Sequence, residues 1–305
     1  MNPPVEWLWI PVTIWAAFAQ TIRNATQRSL TGGLGTLGAT LVRFLYGLPF
    51  AALWLWIVCA WTKEPLPRVD FSFWAWVTFG GLSQVVATAL LLRTMQERNF
   101  ALGVAYSKTE VLQVAVFALV ILGDPITLAT AIAVVVGTLG VLLLSPADRE
   151  QPLRALLKGW TAKAGLFGIA SGTAFAFAAI GYRGATFTLP DSGFLMVASA
   201  TLLAAQCVQT LTLGGWLAVR QPRVVVAVVK AWKPSLLAGF MGAAASAGWF
   251  TAFAIEPVAH VRTLGLVELV FSYVVSLKLF REKLSTLEIS GMALIALGVA
   301  VIVLK

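Results

Sequence analysis

The chain has 305 residues, of which 59% are apolar and only 11% charged, with a mean hydropathy of +0.87. A soluble domain averages roughly 45 to 50% apolar and 25% charged, so a water-soluble fold is excluded. The net charge of +9 is carried at the ends of apolar runs with no arginine-rich or aromatic-interleaved patch, which argues against a nucleic-acid partner.

A membrane-spanning helix needs about 20 apolar residues. The apolar runs predict ten: 7–27, 37–61, 71–93, 101–122, 127–145, 163–188, 193–218, 234–254, 259–280 and 285–304. They are continuously apolar rather than alternating, which favours helices over a β-barrel. The first run has no basic stretch ahead of it and is followed by another span, so it reads as a retained span and not a signal peptide. Cys59 and Cys207, inside the second and seventh runs, read as packing residues with no disulfide or metal pattern. Residues 146–162, with Pro146, Pro152 and the charges Asp148, Arg149, Glu150 and Arg154, form a linker between a five-span unit at 1–145 and another at 163–305.

The two halves share an ending. Shifting the first by 158 residues (282 minus 124) brings Asp124 onto Glu282, Thr127 onto Ser285, Gly140 onto Gly298 and Glu110 onto Glu268. Five spans per copy is an odd number, so the second copy enters the membrane from the opposite side. Inverted repeats of this kind are the usual build of secondary transporters, with the substrate site near mid-bilayer at the repeat interface. Lys and Arg divide 15 to 5 between the two sets of predicted loops, and the richer side marks the cytoplasm. With ten spans, both termini then face outward.

The stretches Leu122-Gly123-Asp124-Pro125-Ile126-Thr127 and Phe280-Arg281-Glu282-Lys283-Leu284-Ser285, each followed by a span with a late Gly-Val pair, resemble the repeat ending of the drug/metabolite transporter superfamily, in particular its ten-span EamA-type members. Arg43-Phe44 is similar to the Arg-Phe pair that many members carry. The resemblance implies an all-α integral membrane fold of two inverted five-helix repeats. It also implies a multi-pass protein of a bacterial-type inner membrane that exports or exchanges small metabolites. Two features depart from the family. Val111 and Leu269 stand where proline usually follows the acid, which predicts straighter helices there, and the charge count places the termini opposite to the family habit.

Polar groups at membrane depth carry the functional expectation, because an ionisable side chain inside a span is costly. Glu110 and Glu268 each lie about nine residues into their spans, roughly 14 Å from the helix end at 1.5 Å per residue. Tyr106, Glu110 and Gln113 share one helix face, and Lys108 and Arg43 also fall inside spans. The structural alternative is that the acids only pair with Arg43, Lys108 or another basic residue to hold helices in register. His260 and Arg262 open the ninth span. Gln20, Gln84, Gln206 and Gln209 either bond across helices or offer neutral contacts to substrate. Most of the twelve tryptophans sit where an interfacial belt would place them: Trp7, Trp9, Trp61, Trp74, Trp76, Trp160, Trp216 and Trp232. Trp15 and Trp249 are deeper and are the cavity candidates. Ala164, Gly168 and Gly172, and Ala238, Gly242 and Ser246, recur every four residues and suit close helix packing.

Among function classes, an intramembrane enzyme would need a metal or nucleophile constellation. The chain has one histidine, no His-Glu-x-x-His and no paired cysteines, and it has no Walker-type glycine loop for direct ATP coupling. No cofactor is expected. The partners expected are a small-molecule substrate, membrane lipid, and protons or an exchanged metabolite as the coupling species. The mixture of carboxylates, cations and amides suits a zwitterion such as an amino acid, whose two ends need opposite partners. An organic cation held by Glu110 or Glu268 against Trp15 or Trp249 is the alternative. A non-transporting membrane adaptor would leave the acids as structural pairs.

Overall fold

The computed structural model describes residues 7–97, 100, 104, 107–123, 127–143, 163–280, 290, 293–294 and 297. Tyr106, Asp124, Trp160, Glu282 and the linker 146–162 lie outside the described residues. Every regular element among the described residues is helical. In chain order these are α1 (Trp9–Leu45), α2 (Leu48–Thr62), α3 (Phe71–Glu97), α4 (Glu110–Phe117) continuing into a π-helical turn at Ala118–Leu122, α5 (Leu128–Leu143) and α6 (Lys163–Phe187). They are followed by α7 (Phe194–Arg220), α8 (Pro222–Lys230), α9 (Trp232–Ile255), α10 (Val258–Leu264) and α11 (Val267–Phe280). Among the described residues, six helical stretches are long and apolar enough to cross a membrane: Trp9–Thr62, Phe71–Glu97, Gly165–Phe187, Phe194–Arg220, Trp232–Ile255 and Val258–Val275. The chain is a multi-pass membrane protein, all-helical in its described residues.

Contacts gather the chain into two compact units that cut across the sequence halves. One is Met1–Val85 with Phe177–Glu256, the other Val86–Ala176 with Pro257–Lys305. In the first unit α1 packs most extensively along α9, and α7 lies against α2 and α9. The expected break between the first two spans is confined to Gly35, whose φ of 68° and ψ of 173° suit glycine alone. Gln27 Nε2 donates to the Ala39 carbonyl at 2.7 Å. Twelve residues of straight helix would hold these about 18 Å apart, so the arms on either side of Gly35 fold back on each other. Leu34, Leu41, Val42, Phe44, Leu213, Leu217, Val228 and Ala238 form a core cluster of this unit.

The stretch read as a loop after the seventh span contains α8. Its Val224 and Val228 pack against Gly38, and Tyr46, in the turn between α1 and α2, donates its hydroxyl to the Val228 carbonyl at 3.0 Å near the helix C-terminus. Asp70 caps α3 by accepting from the Phe73 N–H at 2.8 Å. Cys59 and Cys207 are free thiols.

Three basic residues taken as loop charges are instead buried inside helices: Arg23, Arg183 and Arg262. Arg23 donates to Asn24 Oδ1 at 2.6 Å, and Arg183 donates to the Phe253 carbonyl. Local hydrogen bonding makes burial tolerable, which a count of charges along the chain does not register. Removing one from the fifteen and two from the five leaves the bias in the same direction. Two tryptophans assigned to the interfacial belt pack against the protein, one buried and one half-buried. Trp9 is buried, and the Trp76 ring lies against Gly184. Trp7, Trp61, Trp74, Trp216 and Trp232 are exposed.

Candidate functional site

The second unit holds a buried cluster of four charged side chains, built where two helices are interrupted. Before α4, Lys108 and Thr109 form a turn, and the Val111 N–H donates to the Lys108 carbonyl at 3.1 Å. Between α10 and α11, Gly265 and Leu266 form a turn, and the Leu269 N–H donates to the Leu266 carbonyl at 2.9 Å. Adding 158 to 108 and 111 returns 266 and 269, so the same three-residue hydrogen bond recurs at equivalent positions of the two sequence halves. The straighter helices expected from the absence of proline are therefore not found. A tightened turn interrupts the i to i−4 ladder without it. Each interruption places an acid in the first turn of the helix that follows, Glu110 in α4 and Glu268 in α11, where the positive end of the helix dipole favours a negative charge.

Two glycines let neighbouring helices reach these turns. A methyl on Gly172 of α6 would stand 2.8 Å from both the Ser107 carbonyl and Thr109 Oγ1. One on Gly137 of α5 would stand 2.6 Å from Leu266 Cδ1. The small-residue stripe ending at Gly172 thus marks backbone contact with the first interruption. Gly137 was not singled out by its sequence context, since an isolated glycine in an apolar run carries no periodic signal.

Lys108, Glu110, Arg262 and Glu268 are 4%, 3%, 6% and 0% exposed. Lys108 Nζ donates to Glu268 Oε2 at 2.5 Å and lies 3.6 Å from Glu110 Oε1. Arg262 Nη1 lies 3.4 Å from the same Glu110 oxygen. Glu110 Oε2 is buried and accepts no hydrogen bond among the described residues. Charge-assisted hydrogen bonds run near 2.7 to 2.9 Å, so Lys108–Glu268 is a tight pair, whereas Glu110 is held by two looser ionic contacts. Two acids and two bases leave the cluster formally neutral, the condition under which buried charges are tolerable. Gln113 extends it by donating to Thr109 Oγ1 at 3.4 Å. His260, half-buried on α10, lies two residues before Arg262.

The remaining predicted residues lie in the first unit. Arg43 is buried and donates to Ser246 at 3.5 Å, so the stripe at Ala238, Gly242 and Ser246 meets polar side chains as well as helix backbone. Gly242 has the stems of both Arg23 and Arg43 within 3.5 Å of where a methyl would sit. Trp249 is buried and donates its indole N–H to Gln20 Oε1 at 3.0 Å. Gln84 accepts from Tyr182 at 2.9 Å and from Gln209 at 2.6 Å. Gln209 also donates to the Tyr182 hydroxyl at 2.9 Å, closing a three-member network across α3, α6 and α7. Trp15 is 49% exposed and lines an apolar cavity of about 490 Å³ with Phe50, Trp54, Leu202 and Phe240, and none of the described residues that line it is charged.

No protein-family model and no curated protein sequence matches the chain. It is similar to a protein of known crystal structure over 97% of its own length and 95% of the other's, with a TM-score of 0.66 at 15% sequence identity. Likeness at that identity speaks for a shared fold.

Proposed function

We propose that the chain is a secondary transporter of a small polar or zwitterionic metabolite, such as an amino acid, of the drug/metabolite transporter type. In this reading ten spans form two inverted five-helix repeats in a bacterial-type inner membrane. The observation that carries it is the buried, neutral four-charge cluster at two helix interruptions related by the 158-residue shift. Discontinuous helices whose ends face polar groups at membrane depth are a transporter device. Ionisable residues kept there at such energetic expense favour a functional role over mere packing.

The organic-cation alternative draws less support. It needs an aromatic wall beside a carboxylate, yet Trp249 engages Gln20 and the cavity beside Trp15 has no carboxylate among the described residues that line it. The reading is tested with full-length protein reconstituted into vesicles preloaded with a mixture of unlabelled neutral amino acids, with labelled amino acids added outside. Accumulation above that of protein-free vesicles is expected. Absence of counterflow for amino acids and for other metabolites alike would overturn it.

A further inference from the structure

Within the transporter reading, on which this step rests, the two acids are not equivalent. We infer that Glu110 and Arg262 form a pair that a zwitterionic substrate opens. The substrate's ammonium group takes Glu110 Oε2 and its carboxylate takes the Arg262 guanidinium, while Lys108–Glu268 stays closed as a clasp.

Three observations lead there. Lys108 Nζ and Glu268 Oε2 meet at 2.5 Å, with Glu268 wholly buried, a contact that leaves a ligand little to improve. Glu110 and Arg262 approach only to 3.4 Å, beyond the range of a charge-assisted hydrogen bond, so this ion pair is slack. Glu110 Oε2 is buried in the cluster and accepts no hydrogen bond among the described residues, which makes it an acceptor already shielded from water. A guanidinium carries five N–H donors and matches a carboxylate in a two-pronged fork, so Arg262 has the chemistry to take the substrate's carboxylate.

Charge balance then selects the ligand. The four side chains sum to zero, and a bound zwitterion keeps the sum at zero by exchanging one slack ion pair for two intermolecular ones. A monocation or monoanion would leave a net charge in a site shielded from water, which is disfavoured. The predicted specificity is for both ends of the substrate at once.

The test uses purified full-length protein and thermal shift, since a ligand of the folded state raises its melting temperature by mass action. The probes are the neutral L-amino acids, their N-acetyl derivatives, which lack the ammonium, and their amides, which lack the carboxylate. At least one free amino acid is expected to stabilise the wild type, with both of its capped forms weaker by about tenfold or more, the loss of one charge-assisted contact. Glu110→Gln should shift preference toward the N-acetyl anion and Arg262→Gln toward the amide cation. Equal stabilisation by an amide and its parent amino acid overturns the inference on wild-type protein alone, whatever the variants do. Stabilisation by other metabolites but by no amino acid overturns it and leaves the transporter reading standing. Failure of every small molecule in both thermal shift and counterflow overturns both.

Discussion

Gly172 of α6 stands so close to Ser107 that a methyl group on its Cα would lie 2.8 Å from the Ser107 carbonyl oxygen. That oxygen belongs to backbone beside an interrupted helix, so it has little freedom to withdraw. Gly172→Ala should therefore lower stability by about 1 to 3 kcal/mol, the usual effect of overfilling a packed site. Thermal unfolding of the purified variant checks this; a stability equal to wild type would mean that α6 does not rest on the turn at Ser107.

The Lys108–Glu268 clasp makes a second expectation. Glu268→Gln keeps size and polarity but leaves Lys108 with Glu110 at 3.6 Å, and breaking a buried pair on one side typically costs about 3 to 5 kcal/mol. Glu110→Gln relaxes only the looser contacts and should cost less. Combining Glu268→Gln with Lys108→Met should recover much of the loss. Denaturation of the single and double variants measures the coupling, and additive losses would show that the two side chains do not act together.

At Gly35 no side-chain contact is at stake, because nothing lies within 4 Å of where a methyl would sit. Its backbone conformation is nevertheless one that only glycine adopts readily, at about 1 to 3 kcal/mol for other residues. Gly35→Ala should be destabilising by that amount through backbone strain alone. An unchanged melting temperature would indicate that the arms of α1 meet with another geometry.

Tyr182→Phe deletes a hydroxyl that gives one hydrogen bond to Gln84 and receives one from Gln209. Interhelical hydrogen bonds in membranes average roughly 0.6 kcal/mol, so a loss of about 1 kcal/mol is expected with no change in ligand preference. A changed preference would move this network from scaffold to site.

On the proposed ten-span reading, orientation follows from the Lys and Arg bias, which survives removal of Arg23, Arg183 and Arg262 from the count. Both termini are expected outside. A C-terminal reporter active only in the cytoplasm would reverse the assignment.

The membrane class and most helix positions are legible in the sequence because a span is a run of about twenty apolar residues, a signal that needs no tertiary context. Glu110, Lys108 and Glu268 are conspicuous for the complementary reason: charge is rare at such depth, whereas Arg262 passes for a loop charge. Their grouping is less legible. Hydropathy does not specify which cation an acid meets, and the choice of Lys108 over Arg43 as a partner of Glu110 depends on packing between helices. The fate of Arg23 and Arg183 was equally hidden, since each is accommodated by a neutral acceptor. The interruptions were masked by a rule that ties helix breaks to proline, whereas here turn geometry at Lys108–Thr109 and Gly265–Leu266 suffices.

That absence of proline has a mechanical sequel. A proline break is permanent because the residue has no N–H with which to rebuild the ladder. Val111 and Leu269 keep theirs, each donated to the carbonyl three residues back. Proline after either acid would bar the i to i−4 bond for good, whereas valine and leucine leave it open to the chain.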